Sequence, residues 1–309
     1  MNFKKPNFWK TINIYSLFFL PLTLITFIVN LLKDLVIKQK KFNLPIICVG
    51  NIFVGGTGKT PLSIYLFNLL LKNKKNPAII KKFYSDHIDE ILLIKKKIGS
   101  IFFNKDRSKS IIQAERNKHN VVIMDDGLQD RSIKKNLSII CFNSNEALGN
   151  NLLLPAGPLR EPLKNKEEYL IVVINGKKNS NLEKKIRFKL KNVKIFYSQY
   201  IPKNINKLKN KKLFAFAGIG NPNSFFQLLK DNNLNLKKKV SFPDHYNYSK
   251  DEIRKLVNEA KKNKLTLVTT EKDFYRLKAF KLSKVNYISV DLIIKNKSSF
   301  NNEILKNYD

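Results

Sequence analysis

The sequence predicts an α/β protein with two domains, in which mostly parallel sheets carry helices on both faces and an apolar helix precedes the first strand. Three observations lead to this fold class. Short, continuously apolar runs alternate with helical patterns, as strands do when helices cover both faces of a parallel sheet. The length of 309 residues is large for one compact domain and comfortable for two. An uncharged stretch near the N-terminus adds the extra helix.

The N-terminal helix is predicted over residues 11–32, which carry no formal charge and are flanked by Lys10 and Lys33. At about 1.5 Å per residue the run approaches the ~30 Å thickness of the hydrocarbon layer. Pro21 predicts a kink, and three polar residues dilute the apolar character (Asn13, Thr23 and Asn30). No small-x-small cleavage motif follows, which argues against a signal peptide. We therefore expect a helical anchor that lies in or dips through the cytoplasmic leaflet rather than a clean span.

The first strand and helix flank a glycine-rich loop, "IICVGNIFVGGTGKTPLSIYLF" (46–67). The pattern G-x-x-x-x-G-K-[ST] fails at one position, where Phe53 replaces the first glycine. Glycines let backbone N–H groups turn toward an anion, and a helix N-terminus follows. Lys59 could reach the terminal phosphates of a nucleotide, and the Thr60 hydroxyl could hold Mg²⁺. The predicted nucleotide-binding residues are Phe53, Val54, Gly55, Gly56, Thr57, Gly58, Lys59 and Thr60; the alternative is an ordinary β-to-α turn.

The remaining elements follow from the same alternation. Further strands are predicted at 45–49, 77–80, 120–124, 137–142 and 170–174, and helices at 61–72 and 109–117. The Lys- and Asn-rich stretch 176–212 is typical of a connecting hairpin or linker, and a second α/β unit begins at 213. The predicted organisation is an anchoring segment over 1–40, a nucleotide-binding domain over 41–205 and a smaller C-terminal domain over 206–309.

Two acidic motifs can serve a metal-bound nucleotide. The strand "NVVIMDDGLQD" ends in Asp125 and Asp126, and either carboxylate could hold the Mg²⁺ that bridges phosphates. Asp-Gly is also a common turn pair, so a plain turn is the alternative. The loop 149–163 offers the Arg160 guanidinium to a phosphate and the Glu161 carboxylate to a metal, unless the two form a surface ion pair.

Charge and cysteine content restrict the partners. Lys and Arg number 58 against 24 Asp and Glu, a formal charge of +34, which favours anionic partners. The lysines are spread along the chain, so we expect no dedicated nucleic-acid site, and attraction to an anionic membrane remains. Cys48 and Cys141 lie in apolar runs and are interpreted as buried small hydrophobes rather than metal ligands.

Taken together, the motifs resemble one family. "VGNIFVGGTGKTP", "DEILLI", "DDGLQ", "LGNNLLLPAGPLREP", "FAGIGNP", "FPDHYNYS" and "TTEKD" occur in the order and at the spacings of the tetraacyldisaccharide 4'-kinases. The resemblance extends from the anchor to about residue 278. It implies a two-domain phosphate-loop kinase at the cytoplasmic face of a bacterial inner membrane, with ATP and Mg²⁺ as cofactors. The implied reaction phosphorylates the 4'-hydroxyl of a tetraacylated glucosamine disaccharide 1-phosphate to form lipid IVA.

The resemblance also implies roles for single residues. Thr60, Asp126 and Glu161 would serve Mg²⁺, with Asp125 as the other acid that the strand end offers. Lys82, Gln129 and Arg160 would contact the substrate. Asp89 and His245, one from each predicted domain, would act at the sugar hydroxyl. From the residues alone, Asp89 could equally be a helix-capping acid and His245 a structural loop histidine. No nucleic acid and no obligate protein partner are implied.

The sequence departs from the family pattern at four positions, namely Lys82, Ile91, Asp130 and Tyr246. Lys82 stands where the family has an arginine, and an ammonium cannot copy bidentate guanidinium geometry. Two alternative functions remain open from the sequence. One is another membrane-tethered phosphate-loop ATPase or biosynthetic ligase. The other is a basic protein that binds lipid or nucleic acid without turnover.

Overall fold

The computed structural model describes residues 5–84, 88–164, 170–277, 280 and 284–306. The chain divides into two compact units. One, the phosphate-loop unit, comprises Lys5–Tyr84, Lys97–Gln199 and Leu292–Asp309; the other, the histidine unit, comprises Met1–Lys4, Ser85–Lys96 and Tyr200–Asp291. The break at Tyr200 lies close to the predicted boundary at 205/206. Ser85–Lys96 and Leu292–Asp309 are grouped differently from the prediction.

Twelve strands are present among the described residues. They are β1 (Ile46–Gly50), β2 (Pro77–Lys82), β3 (Ile101–Asn104), β4 (Val121–Asp125), β5 (Leu137–Asn143), β6 (Leu170–Asn175), β7 (Lys194–Pro202), β8 (Lys212–Ala217), β9 (Asn235–Ser241), β10 (Thr266–Thr270), β11 (Asn286–Ile288) and β12 (Val290–Ile294). The five predicted strands are thus confirmed, with boundaries shifted by at most two residues.

The helices in the described part of the chain alternate with these strands. They are α1 (Ile14–Phe18), α2 (Leu20–Val36), α3 (Lys59–Lys72), α4 (Ile88–Ile98), α5 (Arg107–Arg116), α6 (Ser180–Lys189), α7 (Pro222–Asp231), α8 (Lys250–Lys262), α9 (Glu271–Leu277) and α10 (Lys297–Leu305). Side-chain caps fix several starts. Asp106 accepts from the backbone N–H of Ser108 at α5, and Ser249 with Glu252 forms a capping box at α8.

The larger sheet has the strand order β12-β7-β6-β5-β1-β4-β2-β3. The central strand β1 pairs in parallel with β4 and β5, and β2 pairs in parallel with β3 and β4. All five residues of β1 and of β4 are buried, so helices cover both faces of the sheet at its centre. Parallel neighbours bring their carboxyl ends to the same edge, which places the loop after β1 beside the end of β4.

The histidine unit contains a second sheet, with the order β11-β10-β8-β9 and parallel pairing of β8 to its neighbours. Alternate residues of β8 face opposite sides. Leu213 and Ala215 pack in one apolar cluster with Phe225 of α7, while Phe214 packs in another with Ile253 of α8. This second unit therefore repeats the helix–sheet–helix arrangement on a smaller scale.

The predicted linker over 176–212 is wrong. The segment forms α6 and β7, and β7 pairs in parallel with β6 within the larger sheet. Only Leu182 and Ile186 of α6 are buried, four residues apart on one face, and the intervening charged residues are not. A stretch with two apolar residues among many lysines has a composition typical of a linker. The two residues are nevertheless enough to bury one face of a short surface helix.

The uncharged N-terminal run forms α1 and α2, which are separated at Phe19 just before Pro21, in agreement with the predicted kink. Large apolar side chains of both helices remain exposed, among them Phe18 and Leu35. Within the described ranges, no helix combines the length and the apolar character needed to cross a membrane. The two helices thus present many exposed apolar side chains close together in the sequence.

Candidate active site

The phosphate loop joins β1 to α3 and is held by neighbouring polypeptide. Gly58, at the start of α3, has φ 96°, and Gly55 has φ 132°, backbone conformations that favour glycine. The side-chain amide of Asn51 donates to the carbonyls of Phe53 at 2.6 Å and Gly55 at 3.2 Å. The N–H of Val54 donates to the carbonyl of Pro158 at 2.9 Å. The loop is therefore shaped before any ligand binds, with the N-terminus of α3 behind it.

Asp125 lies at the end of β4, with no exposed surface, and three side chains donate to it. The Thr60 hydroxyl and the Ser63 hydroxyl each lie 3.0 Å from a carboxylate oxygen, and Lys81 Nζ lies 2.6 Å from Oδ2. The Lys81 side chain is 4% exposed. An ion pair this deeply buried must be well hydrogen-bonded to offset its desolvation, and Asp125 meets that condition.

Asp126 differs from its neighbour because its side chain is 26% exposed. Its Oδ1 lies 3.5 Å from Lys59 Nζ and 3.4 Å from Arg160 Nη1. The backbone is left-handed there, with φ 56°, and the Asp126 carbonyl accepts from Arg107 Nη2 at 2.6 Å. Of the two carboxylates that the sequence left open, Asp126 is thus the accessible one, and Asp125 is the buried one.

Glu161 is buried, and its partners exclude the alternative of a surface ion pair with Arg160. Arg131 Nη2 donates to Glu161 Oε2, and Gln129 Nε2 donates to Oε1 at 2.8 Å. Gln129 Nε2 also donates to the carbonyl of Asn51 at 2.8 Å, while Arg160 Nη1 lies 3.4 Å from Gln129 Oε1. The structure therefore links the predicted residues Gln129, Arg160 and Glu161 to the phosphate loop and to Asp126.

The oxygen donors near Lys59 fit Mg²⁺. Thr60, Asp125 and Asp126 offer one hydroxyl and two carboxylates, and Mg²⁺ commonly takes one or two carboxylates together with substrate phosphates. Among the described residues, no group of three or more His, Cys, Asp or Glu side chains forms a cage for a metal. Such a donor set suits an ion that arrives with a nucleotide.

The Lys82 ammonium lies over the Tyr84 ring, 5.6 Å from its centre. Lys81, one residue earlier, is the lysine that contacts Asp125. Neighbouring residues of a strand point to opposite faces, and the β2–β4 register pairs Lys81 with Asp125. Strand register could have identified Lys81 from the sequence, had the neighbouring strands been known.

A second cluster lies within the histidine unit, around Asp89 in the first turn of α4. The Asp89 carboxylate accepts from Arg276 through Nε at 3.0 Å and Nη2 at 2.6 Å, and Lys272 Nζ lies 3.8 Å away. His245 Nδ1 lies 3.4 Å from Asp89 Oδ1, and His245 has a left-handed backbone with φ 55°. The sequence thus identified Asp89 and His245 but missed Lys272 and Arg276.

The missed cations could have been found from "TTEKDFYRL", because Lys272 and Arg276 are four residues apart on α9 and share a face. Burial alone raises the pKa of Asp89, but the contact with His245 and the charges of Lys272 and Arg276 outweigh it and hold that pKa well below its usual range. Burial lowers the pKa of Lys272, and Glu90, Asp244 and Asp89 reverse this, so that its pKa is raised. Both groups are charged at neutral pH.

The neighbouring charges indicate which nitrogen of the His245 imidazole carries the proton. Lys272 Nζ lies 3.2 Å from His245 Nε2 and 2.8 Å from Glu90 Oε1. An ammonium can only donate, so Nε2 accepts and the Nδ1 proton faces Asp89. Asp89 and His245 belong to the same compact unit, which corrects the expectation that each domain supplies one member.

The comparisons with known proteins agree with the motifs. The family described as tetraacyldisaccharide-1-P 4'-kinase (LpxK) matches residues 15–309. A tetraacyldisaccharide 4'-kinase of Pelagibacter ubique is 38% identical over 99% of this chain and 98% of its own length. A relative of the same name from Rickettsia akari is 31% identical, over 97% and 96% respectively.

Among solved structures, a crystal structure of LpxK from Aquifex aeolicus in complex with ATP has a TM-score of 0.72 at 24% identity. It covers 96% of this chain, and all of that chain is matched. This likeness shows the fold. The family match and the relatives, each over nearly the whole length, show that the chain belongs to the tetraacyldisaccharide 4'-kinase family.

Proposed function

We propose roles for the residues of both clusters in the reaction of this family, the ATP-dependent 4'-phosphorylation of a tetraacyldisaccharide 1-phosphate in lipid A biosynthesis. The observation that carries the proposal is the placement of Lys59 and Thr60 against Asp125 and Asp126 at the carboxyl ends of adjacent parallel strands. Residues 53–60 hold the phosphates of ATP through backbone N–H groups, and Lys59 stabilises charge on the transferred phosphoryl group.

Asp125 and Asp126 have different roles at the Mg²⁺ site. Asp126 and the Thr60 hydroxyl are the donors we assign to the ion, and Asp125 orients Thr60 by accepting a hydrogen bond from its hydroxyl. Glu161 holds Gln129 and Arg131 in place around the same loop. Arg160 and Gln129 contact the phosphorylated substrate, and Lys82 provides a further positive charge for it. When bound, the ion neutralises charge on the phosphates during transfer.

His245 is the base that we assign to the acceptor hydroxyl. The Asp89 carboxylate faces Nδ1 of the imidazole, with Oδ1 3.4 Å away, which leaves Nε2 as the basic atom. Arg276 keeps Asp89 ionised, so Asp89 acts as the orienting partner rather than as the base. Nε2 becomes available to a substrate hydroxyl once it exchanges its contact with Lys272.

The acylated substrate places the enzyme at a membrane. We assign the exposed apolar side chains of α1 and α2 to contact with the cytoplasmic face of the bacterial inner membrane, where the excess of Lys and Arg favours anionic headgroups. This peripheral arrangement needs no obligate protein partner and no nucleic acid.

The test is phosphoryl transfer by the purified protein. Protein, Mg²⁺ and γ-labelled ATP are incubated with tetraacyldisaccharide 1-phosphate in non-ionic detergent micelles, and labelled lipid is separated by chromatography. Label should appear at the 4' position, and the control Lys59→Ala should remove it. Hydrolysis of ATP at the same rate with and without lipid, and no labelled lipid, would instead favour another phosphate-loop ATPase. Lipid binding without any ATP turnover would favour a binding protein.

A further inference from the structure

The apolar N-terminal helix α2 carries two polar side chains that contact the rest of the protein. Asn30 Nδ2 donates to the backbone carbonyl of Arg160 at 3.1 Å. Asp34 Oδ1 accepts from Arg131 Nε at 2.7 Å, and the Asp34 side chain is 21% exposed. The two residues are four positions apart, so they lie on one face of the helix. That face meets the loop that holds Arg160 and Glu161.

From Asp34 the contacts continue to the phosphate loop. Arg131 uses Nε for Asp34, Nη2 for Glu161 Oε2 and Nη1 for the carbonyl of Leu128 at 2.8 Å. Glu161 in turn accepts from Gln129 at 2.8 Å, and Gln129 donates to the carbonyl of Asn51 at the start of the loop. Each nitrogen of the Arg131 guanidinium thus contacts a different carboxylate or carbonyl, which fixes the side chain rigidly.

Because Glu161 is buried, loss of one contact in this network affects the others. The Glu161 side chain is 3% exposed and that of Arg131 is 9% exposed, so the ion pairs of Arg131 with Glu161 and Asp34 are little screened by solvent. Loss of the Asp34 charge leaves Arg131 with one carboxylate instead of two. Arg131 and Glu161 can then relax, and Arg160, next in sequence to Glu161 and 3.4 Å from Asp126, relaxes with them.

We propose that Asp34 is a positioning residue: it couples the seating of the apolar helix α2, through Arg131 and Glu161, to the placement of Arg160 at the site of phosphoryl transfer. The position of α2 in its apolar environment therefore affects kcat, whereas the affinity for nucleotide does not depend on it. The inference rests on the proposed role of Arg160 and Glu161. Asn30 adds a second contact from the same helix face to the same loop.

The test uses full-length protein in non-ionic micelles that contain tetraacyldisaccharide 1-phosphate, with Asp34→Asn as the variant. We expect kcat to fall about tenfold, within the range for residues that act through others, while the Kd for a non-hydrolysable ATP analogue with Mg²⁺ changes less than about twofold. Asp34→Glu should recover most of the rate. The matched control is Lys33→Gln, which removes a charge from the adjacent, exposed position of the helix and should leave kcat unchanged.

Two further measurements separate positioning from general destabilisation. In a Glu161→Gln background, the change Asp34→Asn should have no additional effect on kcat, because the route through Glu161 is already broken. Trypsin cleavage at the Arg160–Glu161 bond, followed by mass spectrometry, should be faster in Asp34→Asn than in Lys33→Gln.

An unchanged kcat in Asp34→Asn overturns the inference, as do multiplicative losses in the double variant. Near-normal activity of Glu161→Gln alone would overturn the proposed role of Glu161 itself.

Discussion

Lys81 is expected to stabilise the protein only as the partner of Asp125, and the change that tests this is Lys81→Met. The variant keeps the length of the side chain and removes the ammonium that lies 2.6 Å from a fully buried carboxylate. Breaking a buried pair by removing one member typically costs about 3–5 kcal/mol. Asp125 keeps the hydroxyls of Thr60 and Ser63, each at 3.0 Å, so we expect about 3 kcal/mol, the lower end of that range.

The assay is urea unfolding followed by tryptophan fluorescence and circular dichroism, with the free energy taken from the transition of the phosphate-loop unit. The matched control is Lys82→Met, which removes the same charge one residue later. Lys82 is only partly buried and its ammonium lies over the Tyr84 ring at 5.6 Å, so we expect a loss below about 1 kcal/mol. Asp125→Asn alone should also destabilise the protein, because it leaves the Lys81 ammonium buried without its carboxylate.

The double variant Lys81→Met/Asp125→Asn tests whether Lys81 and Asp125 stabilise the protein as a pair. If the pair acts as a unit, the double variant should be more stable than the sum of the two single losses predicts, by about 1–3 kcal/mol. Equal destabilisation by Lys81→Met and Lys82→Met, or simple additivity in the double variant, would refute the reasoning. Both outcomes are independent of kinase activity.

Four other predictions concern Lys59, residues 1–33, the Asp89 carboxyl and the Asp89–His245 pair. Lys59→Ala should reduce kcat by at least about 10²-fold with an unchanged unfolding transition, because the partly exposed lysine stabilises phosphoryl charge; near-normal activity would contradict the loop assignment. Removal of residues 1–33 should shift the protein from the membrane to the soluble fraction and impair use of acylated substrate more than ATP binding; a truncated chain that stays wholly with membranes would disprove this. The stability difference between wild type and Asp89→Asn should be largest above about pH 4, the unfolded pKa of the carboxyl, and should shrink as the pH falls toward the lowered folded pKa; unfolding curves with a pH-independent difference would contradict it. Asp89→Ala and His245→Ala should each reduce kcat about 10²-fold or more, and the double variant little further; multiplicative losses would exclude a pair.

Much of the phosphate-loop unit was predictable because its strands are apolar along their whole length. β1 and β4 are buried on both faces, so their sequences contain no polar alternation and their ends are marked by glycine and Asp-Asp. The loop residues 53–60 and the acids at 125 and 126 follow directly from such strand ends. Local sequence was sufficient here because the function lies where the regular structure stops.

The partners of these residues were less predictable, because they come from distant parts of the chain. Lys81 lies 44 residues from Asp125, and Arg276 lies 187 residues from Asp89. A lysine in a chain with 58 Lys and Arg residues carries little signal by itself. α6 and β7 were missed for the same reason, since lysine-rich flanks conceal the few apolar residues that seat them.

Asp89 and His245 lie in one compact unit, so closure of one domain over another is not needed to bring them together. Had the pair been divided between domains, closure could have assembled the base. Because the two side chains already meet within the histidine unit, the imidazole is oriented whether or not substrate is present. Access of a substrate to the proposed base is limited by Lys272, whose ammonium donates to Nε2, the atom that we assign to accept the substrate proton. Lys272 also contacts Glu90 at 2.8 Å, so a substrate hydroxyl that takes over Nε2 leaves the ammonium with a carboxylate partner. Exchange of one hydrogen-bond donor for another, rather than assembly of the pair, is therefore the step at which the acceptor would gain access to the base.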